Sequence, residues 1–456
     1  MTTALTTGSS LAACLRAEGF ISRVVEPGDA DYDQARAGWN GAIDRRPAAV
    51  AYARDSDDVA AAIRAARLAR VRFTIRAGAH SVSGRSVRDG ALCIDLRGLN
   101  AIEVDAEGAV VRVGGGALLG ELDAATQEHG LAVPAGQISH TGVGGLTLGG
   151  GIGWLMRRHG LTIDSLIGAE VVLADGRLVR ASENEHPELF WALRGGGGDF
   201  GAVTAFEFRA HRVGPMILGG MVVYPWELAG DALRACRELM AGAPDELTLF
   251  AALVTAPPDF PVRPGERVLA VAAAWGGDPE EGERVLAPLR ATGAAADLIG
   301  PMPYLALQSM LDATAPPGWR YYDRMHYLAE VGDDFIDALT AAFERAPTPE
   351  THVMTAWLGG AIDRIDPGAT AFGHRGARAL TWIIGCSGEE PVDEAADWVR
   401  DTWEATRRFA SGGVYVNALN AERSVRDAYS GDVWERLLAV KRRYDPDGAF
   451  DGNGIR

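Results

Sequence analysis

The chain has 456 residues, 47% of them hydrophobic, and 44 basic against 61 acidic side chains give a net charge of −17. That length and apolar content suit two or three lobes with substantial cores and exclude disorder as the organising state. The acidic balance argues against nucleic acid or an anionic membrane surface as a partner, because both select basic surfaces.

The opening stretch, MTTALTTGSSLAACLRAEG, has no basic leader, and Arg16 and Glu18 interrupt its apolar run, so neither a signal peptide nor a membrane span is expected. From about residue 46 the pattern alternates. AAVAYA reads as a strand, DSDDVAAAIRAARLAR as a helix capped at Asp55 or Ser56, and VRFTIRA as a second strand, a βαβ-like opening. ALCIDLRGL and AIEVDAEGAVVRVGGG follow as strands, the latter folded at Asp105 to Gly108, and ALLGELDAATQEHG reads as a helix ending at Gly130. Beyond a glycine-rich stretch over 142–153, AEVVLADGRLVRAS predicts a hairpin turning at Asp175 and Gly176, then the helix ENEHPELFWALR and the strand AVTAFEFRAHRV. One α+β lobe thus ends near 213. From there to about 410 the strands LTLFAALVTA, RVLAVAAAW and ALTWIIGCS alternate with the helices DALRACRELMAG and FIDALTAAFERA, which predicts an antiparallel sheet backed by helices. The tail holds one helix and a terminus rich in Pro, Gly and Asp.

Several chemistries drop out on residue types alone. Cys14, Cys93, Cys236 and Cys386 have no ligand-like spacing, which argues against a disulfide framework or zinc cluster and for a reducing, cytoplasmic setting; Cys93 and Cys386 fall in predicted strands, as core residues do. Lys441 is the only lysine, so Schiff-base chemistry and a Walker-type loop are not expected. No GxSxG elbow and no HExxH is present.

Fifty-seven glycines cluster at 114–116, 142–153 and 195–201, more than tight turns require, and bare backbone of this kind can lie against a flat or phosphorylated ligand. A Rossmann site fails the test of context. Gly196, Gly198 and Gly201 fit GxGxxG, but a strand follows them where a helix is needed; at Gly114 and Gly116 the third glycine, Gly120, comes one residue late.

RAGAHSVSG (76–84), PAGQISHTGVGGLTLGGGIGWLMRRHGLTIDSL, FWALRGGGGDFGAVTAFEF and YSGDVWERLLAVKRRYDPDGAF, in that order, resemble motifs of the berberine bridge enzyme family, a branch of the vanillyl-alcohol oxidase or PCMH-type FAD-binding fold. The similarity runs from about residue 25 to the end. It implies an α+β architecture: an FAD-binding domain of two subdomains over 1–213 (core from about 46), a substrate domain over 214–410 whose antiparallel sheet roofs the isoalloxazine, and a segment over 411–456 that returns to the flavin lobe.

The resemblance assigns His80 as the residue bonded to the flavin 8α-methyl group, within a loop running from Arg76 through Gly78, Ala79, Ser81 and Val82 to Gly84 beside the pyrophosphate. Further FAD contacts are implied for Gly136, Thr141, Gly142, Gly144, Gly145, Gly149, Gly150, Gly153 and Val203, while His140 on the same loop either faces the flavin ring or bonds backbone as a loop histidine. Doubly linked members carry a cysteine in the PAG loop; Ile138 stands there, so a single histidyl link is expected. A Y-x-N-Y pattern in relatives becomes Tyr415, Asn417 and then Ala418, which leaves Tyr415 and Asn417 lining the site and the second tyrosine missing. RYYDRMHYL resembles a wall segment reading R-Y-Y-W-K-S, which offers Tyr321, Tyr322 and Arg324, with His326 as a nearby titratable group and Asp323 as a departure. AFGHRGARALTWIIG resembles an F-P-H-R segment. There His374 and Arg375 either begin a site strand, with Thr381 and Ile383 facing substrate, or form a hydrogen-bonded corner.

The implied activity is hydride abstraction from an alcohol or amine carbon of a secondary metabolite or sugar-like substrate to flavin N5, with Tyr415, Asn417, Tyr322 and His326 as candidate catalytic residues and molecular oxygen reoxidising the cofactor to give hydrogen peroxide. Two alternatives stay open: a flavin-containing cyclase or isomerase without net oxidation, and a flavin carrier without turnover. The excess of Arg, Ala and Gly suggests a GC-rich bacterial source.

Overall fold

The computed structural model describes residues 11–420 and 422–456, so part of the stretch read for a leader lies outside it. The βαβ opening forms as expected. Ala49–Tyr52 and Phe73–Arg76 both pair in parallel with Leu92–Asp95, and Val24–Val25 adds an antiparallel edge to this four-stranded sheet. The crossover helix Ser56–Ala69 is held at its start by Asp55, whose carboxylate accepts from the Asp58 N–H at 2.8 Å. Its alanines, Ala61, Ala62, Ala65 and Ala66, let it lie close on the sheet.

A second, antiparallel sheet has the order Ile102–Asp105, Val110–Gly114, Ala202–Arg209, Leu166–Val172, Leu178–Ser182. The expected hairpin is its edge. From Met216 onward the chain builds an eight-stranded antiparallel sheet ordered Ala296–Asp297, Met216–Pro225, Arg267–Trp275, Leu247–Thr255, His352–Trp357, Ala379–Ser387, Arg320–Leu328, with Gly300–Pro303 also on Met216–Pro225. Its two faces do different things. The outer face packs Leu249, Val271 and Ile383 against Leu233, Phe335, Trp398 and Val399 of three helices, Ala229–Ala241, Asp333–Phe343 and Asp393–Thr406. The inner face turns Phe250, Ala272, Met325 and Leu380 toward the first two sheets.

The tail returns to the first lobe through its helix Gly431–Tyr444 and the only lysine. Lys441 is 3% exposed; its Nζ donates to the Asp199 carbonyl (2.6 Å), to Asp445 Oδ2 (2.7 Å) and to the Phe450 carbonyl. Removing one partner of a buried pair of this kind costs about 3–5 kcal/mol. Lys441 is therefore a structural staple. Among the described residues no helix is long and apolar enough to cross a membrane, and no cluster of His, Cys, Asp and Glu is arranged to hold a metal ion.

Candidate active site

A cavity of about 390 Å³ runs between the first lobe and the inner face of the eight-stranded sheet. Its floor is main chain. The three glycine clusters meet there: Gly115, the run Gly142, Gly144 and Gly145, and the run Gly197, Gly198 and Gly201 all line it, as does Val203. The loops 77–82 and 136–142 touch backbone to backbone. A Cβ on Gly78 would stand 2.3 Å from the Gly142 nitrogen, and one on Gly142 would stand 2.4 Å from the Gly78 nitrogen. No side chain fits in that seam.

Of the residues expected at FAD, Gly78, Ala79, His80, Ser81, Val82, Gly136 and Thr141 line the cavity, and Ala79 holds a φ of +56°, a left-handed conformation unusual for a residue with a Cβ. Other expected FAD contacts lie elsewhere. Arg76 is 4% exposed and turns away, donating to the Ala35 and Ala37 carbonyls and pairing with Asp95 at 3.5 Å; it clamps the strand end from which the loop departs. Gly84 borders a separate small cleft. Gly149 makes room for Asn417, whose amide atoms lie 2.1–2.5 Å from where its Cβ would be; Gly150 faces Phe372 and Tyr415, and Gly153 faces the Ala135 carbonyl. These three seat the wall rather than the cofactor.

His80 sits under an aromatic stack. Trp39 lies on its ring at 4.2 Å and on Tyr321 at 3.9 Å. Its Nε2 shares a hydrogen bond of 2.9 Å with His140 Nδ1, and His140 itself stands behind His80, outside the cavity lining. Burial, with His140 adding to it, pushes the His80 pKa down to about 3. The imidazole is neutral at physiological pH, the form with a free lone pair.

Tyr415 and Asn417 both reach the cavity. The Tyr415 hydroxyl oxygen accepts from the Gly151 N–H (2.9 Å) and from Asn417 Nδ2 (3.0 Å), while burial lifts its pKa to about 12. Burial thus favours its protonated form at neutral pH. The other two catalytic candidates face the wrong way. On the strand Arg320–Leu328, Tyr321 and Asp323 line the cavity, whereas Tyr322, Arg324 and His326 point to the outer face. Tyr322 accepts from Arg324 Nε at 3.3 Å under the guanidinium of Arg400. His326 bonds Thr406 Oγ1 at 2.9 Å and stacks on Trp403, and burial lowers its pKa to about 4. The same one-residue shift applies to Ala379–Ser387: Leu380, Trp382 and Ile384 face the cavity, while Thr381 bonds Thr355 and Ile383 joins the outer core. His374 bonds the Ala428 carbonyl and Arg375 makes a bidentate pair with Asp164, so these two form a corner.

Sequence reasoning missed Trp39, Arg85, Asp323, Trp382 and His352, all on the lining. Arg85 directly follows the RAGAHSVSG motif and had that position as its signal. Its guanidinium donates to Asn453 Oδ1 (2.6 Å), Ser83 Oγ (3.0 Å) and the Leu419 carbonyl (3.1 Å), and among the described residues no carboxylate pairs with it. An extended dinucleotide needs close main chain, a cation for its diphosphate and a flat apolar end. The seam, Arg85 and the ring stack over His80 supply all three, so the residues present fit FAD.

The comparisons agree. Residues 47–182 match the family model described as FAD binding domain. An FAD-linked oxidoreductase of Dictyostelium discoideum is 30% identical over 96% of this chain and 95% of that relative. (R)-6-hydroxynicotine oxidase of Paenarthrobacter nicotinovorans is 29% identical over 98% of both chains. Among solved structures, berberine bridge enzyme from Eschscholzia californica superposes with a TM-score of 0.87 at 21% identity, over 98% of each chain. With the seam, the cation and the aromatic stack in place, the chain belongs to the berberine bridge enzyme-like family of FAD-linked oxidoreductases.

Proposed function

We propose that the protein is an oxidase that holds FAD through a single bond to His80, oxidises an alcohol or amine carbon of a small secondary metabolite or sugar-like compound, and uses molecular oxygen as its electron acceptor. The observation that carries this reading is one continuous cavity with a main-chain floor, an apolar and aromatic roof, and the neutral imidazole of His80 on its wall. The relative named (R)-6-hydroxynicotine oxidase supports an oxidase acting on a small molecule. Ile138 borders the cavity where doubly linked members place a cysteine, and none of the four cysteines does.

When bound, the flavin supplies a two-electron acceptor for a C–H bond beside a heteroatom. The chain's own residues do the rest. Arg85 and the backbone of 78–82 hold the diphosphate, Trp39 fixes the His80 ring, and the inner face of the sheet excludes water. Tyr415 and Asn417 form a hydrogen-bonding wall with the tyrosine proton retained.

Acid-denatured protein is expected to keep its yellow colour in the pellet, and His80→Ala to release it. Colour released wholly to the supernatant by the unsubstituted protein would disprove the tether. An anaerobic titration against alcohols and amines should bleach the flavin, with air restoring it and forming peroxide. Product without bleaching removes the oxidase reading.

A further inference from the structure

The roof carries one carboxylate that the proposed reaction has not used. Asp323 lies in mid-strand, is 2% exposed and borders the cavity; its Oδ2 accepts from the Trp382 indole N–H at 2.6 Å and its Oδ1 has no hydrogen-bond partner. Three other buried aspartates have cations: Asp95 has Arg76 and Arg97, Asp164 has Arg375, and Asp445 has Lys441. Asp451, the second carboxylate on the lining, pairs with Arg88. Asp123 and Asp199 also lack a paired cation but stand away from the cavity, Asp123 held by Gln308 and Asp199 by the Asn453 and Ile455 N–H groups. Among the described residues Asp323 is the cavity carboxylate left without a counter-ion.

Its position follows from the ring stack. Tyr321 rests on the Trp39 that rests on His80, and Asp323 is the next residue on that strand face, about 7 Å further along. On its other side the Trp382 ring meets Tyr415 edge-on at 6.5 Å. The carboxylate thus lies on the roof between the wall that carries His80 and the wall that carries Tyr415. On the same sheet face Ile384 stands opposite it, with His352 and Met354 on the next strand; burial holds the His352 imidazole below its ordinary pKa, so this part of the roof carries no competing cation. Aromatic faces around one unpaired anion suit a compact organic cation.

We propose that Asp323 is the acid–base residue of this site and that the substrate is a protonated amine with an apolar or aromatic body. The proposal rests on the flavin-oxidase reading above. An ammonium N–H bond breaks and an O–H bond forms on the Asp323 carboxylate, returning the lone pair to nitrogen. That pair forms a C=N bond as the adjacent C–H breaks and its hydrogen leaves with the bonding electrons to the flavin. The substrate loses two electrons, which pass on to molecular oxygen to give hydrogen peroxide, and Asp323 returns its proton to water.

The protonation chemistry agrees with this geometry. Burial raises the Asp323 carboxyl to about 7 against the lowering effect of the indole hydrogen bond, so it exchanges protons near neutrality. The groups packed on it are uncharged: Trp382 and Ile384 on the paired strand, and Asn420, which donates to its backbone carbonyl. Arg324 lies on the opposite face, paired with Glu422. A bound cation favours the ionised carboxylate, and binding should tighten as pH rises through 7.

The test is calorimetric titration of the flavin-loaded enzyme with phenyltrimethylammonium, which has no N–H and no lone pair to oxidise, and with its neutral isostere tert-butylbenzene. At pH 8 the cation should bind about tenfold more tightly than the isostere, and that preference should shrink at pH 6. Asp323→Asn should lose the preference while binding the isostere as before, and Asp323→Glu should keep part of it. Equal cation binding by Asp323→Asn and the unsubstituted enzyme, or no cation preference in the latter, overturns the proposal. Protein purified without flavin instead counts against the oxidase reading. Should Asp323→Asn not fold, Asp323→Glu and the pH dependence of the unsubstituted enzyme carry the decision.

Discussion

The floor and the roof of the cavity are built by different means. The floor is backbone on backbone, with Gly78 against Gly142 and Gly144 near the Gly115 carbonyl, and its geometry survives only where side chains are absent. The roof is an antiparallel sheet whose alternate side chains do the work, and nearly any residue is compatible with its backbone. A site can therefore keep its cofactor seat while the chemistry above it changes. The sharpest way to break the contrast is to add bulk below. Gly142→Val puts a Cβ and two methyl groups into main chain that has no rotamer to yield, at a cost of about 3 kcal/mol or more. The ratio of flavin to protein absorbance in purified material should fall about tenfold or further. A full flavin complement in this variant would mean that the seam is softer than its distances indicate.

That difference also explains what could be read from residues alone. Floor features are local in sequence: a glycine run, a strand before it, a histidine within small neighbours. RAGAHSVSG and the 142–145 run accordingly land on the cavity. Arg76 and Gly153 belong to the same motifs yet serve the loop's anchorage and a close carbonyl approach, a distinction made by three-dimensional packing. Roof features depend on which parity of a strand faces inward. In RYYDRMHYL, both faces carry polar and aromatic residues, because the outer face packs on a helix with its own Trp403 and Thr406. No alternation is available to choose between them, so the sequence offers Tyr321 together with Tyr322, Arg324 and His326, and only Tyr321 and the unassigned Asp323 reach the cavity. Trp39 was missed for another reason: it precedes the motif-bearing core and meets His80 only through folding.

Next in size is a change confined to the inner roof. Trp382→Phe keeps an aromatic ring beside Tyr415 but deletes the donor to Asp323 Oδ2. A hydrogen bond to a charged group contributes about 1.5–3 kcal/mol, or roughly one to two pKa units. Its loss disfavours the ionised form, so the Asp323 pKa rises. The pH at which phenyltrimethylammonium binding reaches half its maximum should move upward by about one unit, with flavin content unchanged. A downward shift, or none, would show that the indole does not set the charge on the carboxylate.

The smallest functional effect should come from the outer face. His326→Gln leaves an amide able to bond Thr406, and because the ring lies behind the sheet, the rate of flavin reduction should change less than about twofold. Its signature is in stability against pH. Burial holds the folded pKa at about 4, below the ordinary value of about 6.5, so over that window the unfolded chain binds a proton that the folded chain refuses. Stability therefore falls as pH drops from 6.5 to 4, by on the order of 2 kcal/mol for this group, and glutamine removes that dependence. The variant should melt below the unsubstituted protein at pH 7.5, and the gap should narrow or reverse at pH 4.5. A twofold contrast in chemistry beside a clear shift in acid stability would separate the two faces of one strand, the inner carrying reactivity and the outer carrying the fold. A large loss of reduction rate would instead place the imidazole within reach of the reacting atoms and erase the distinction.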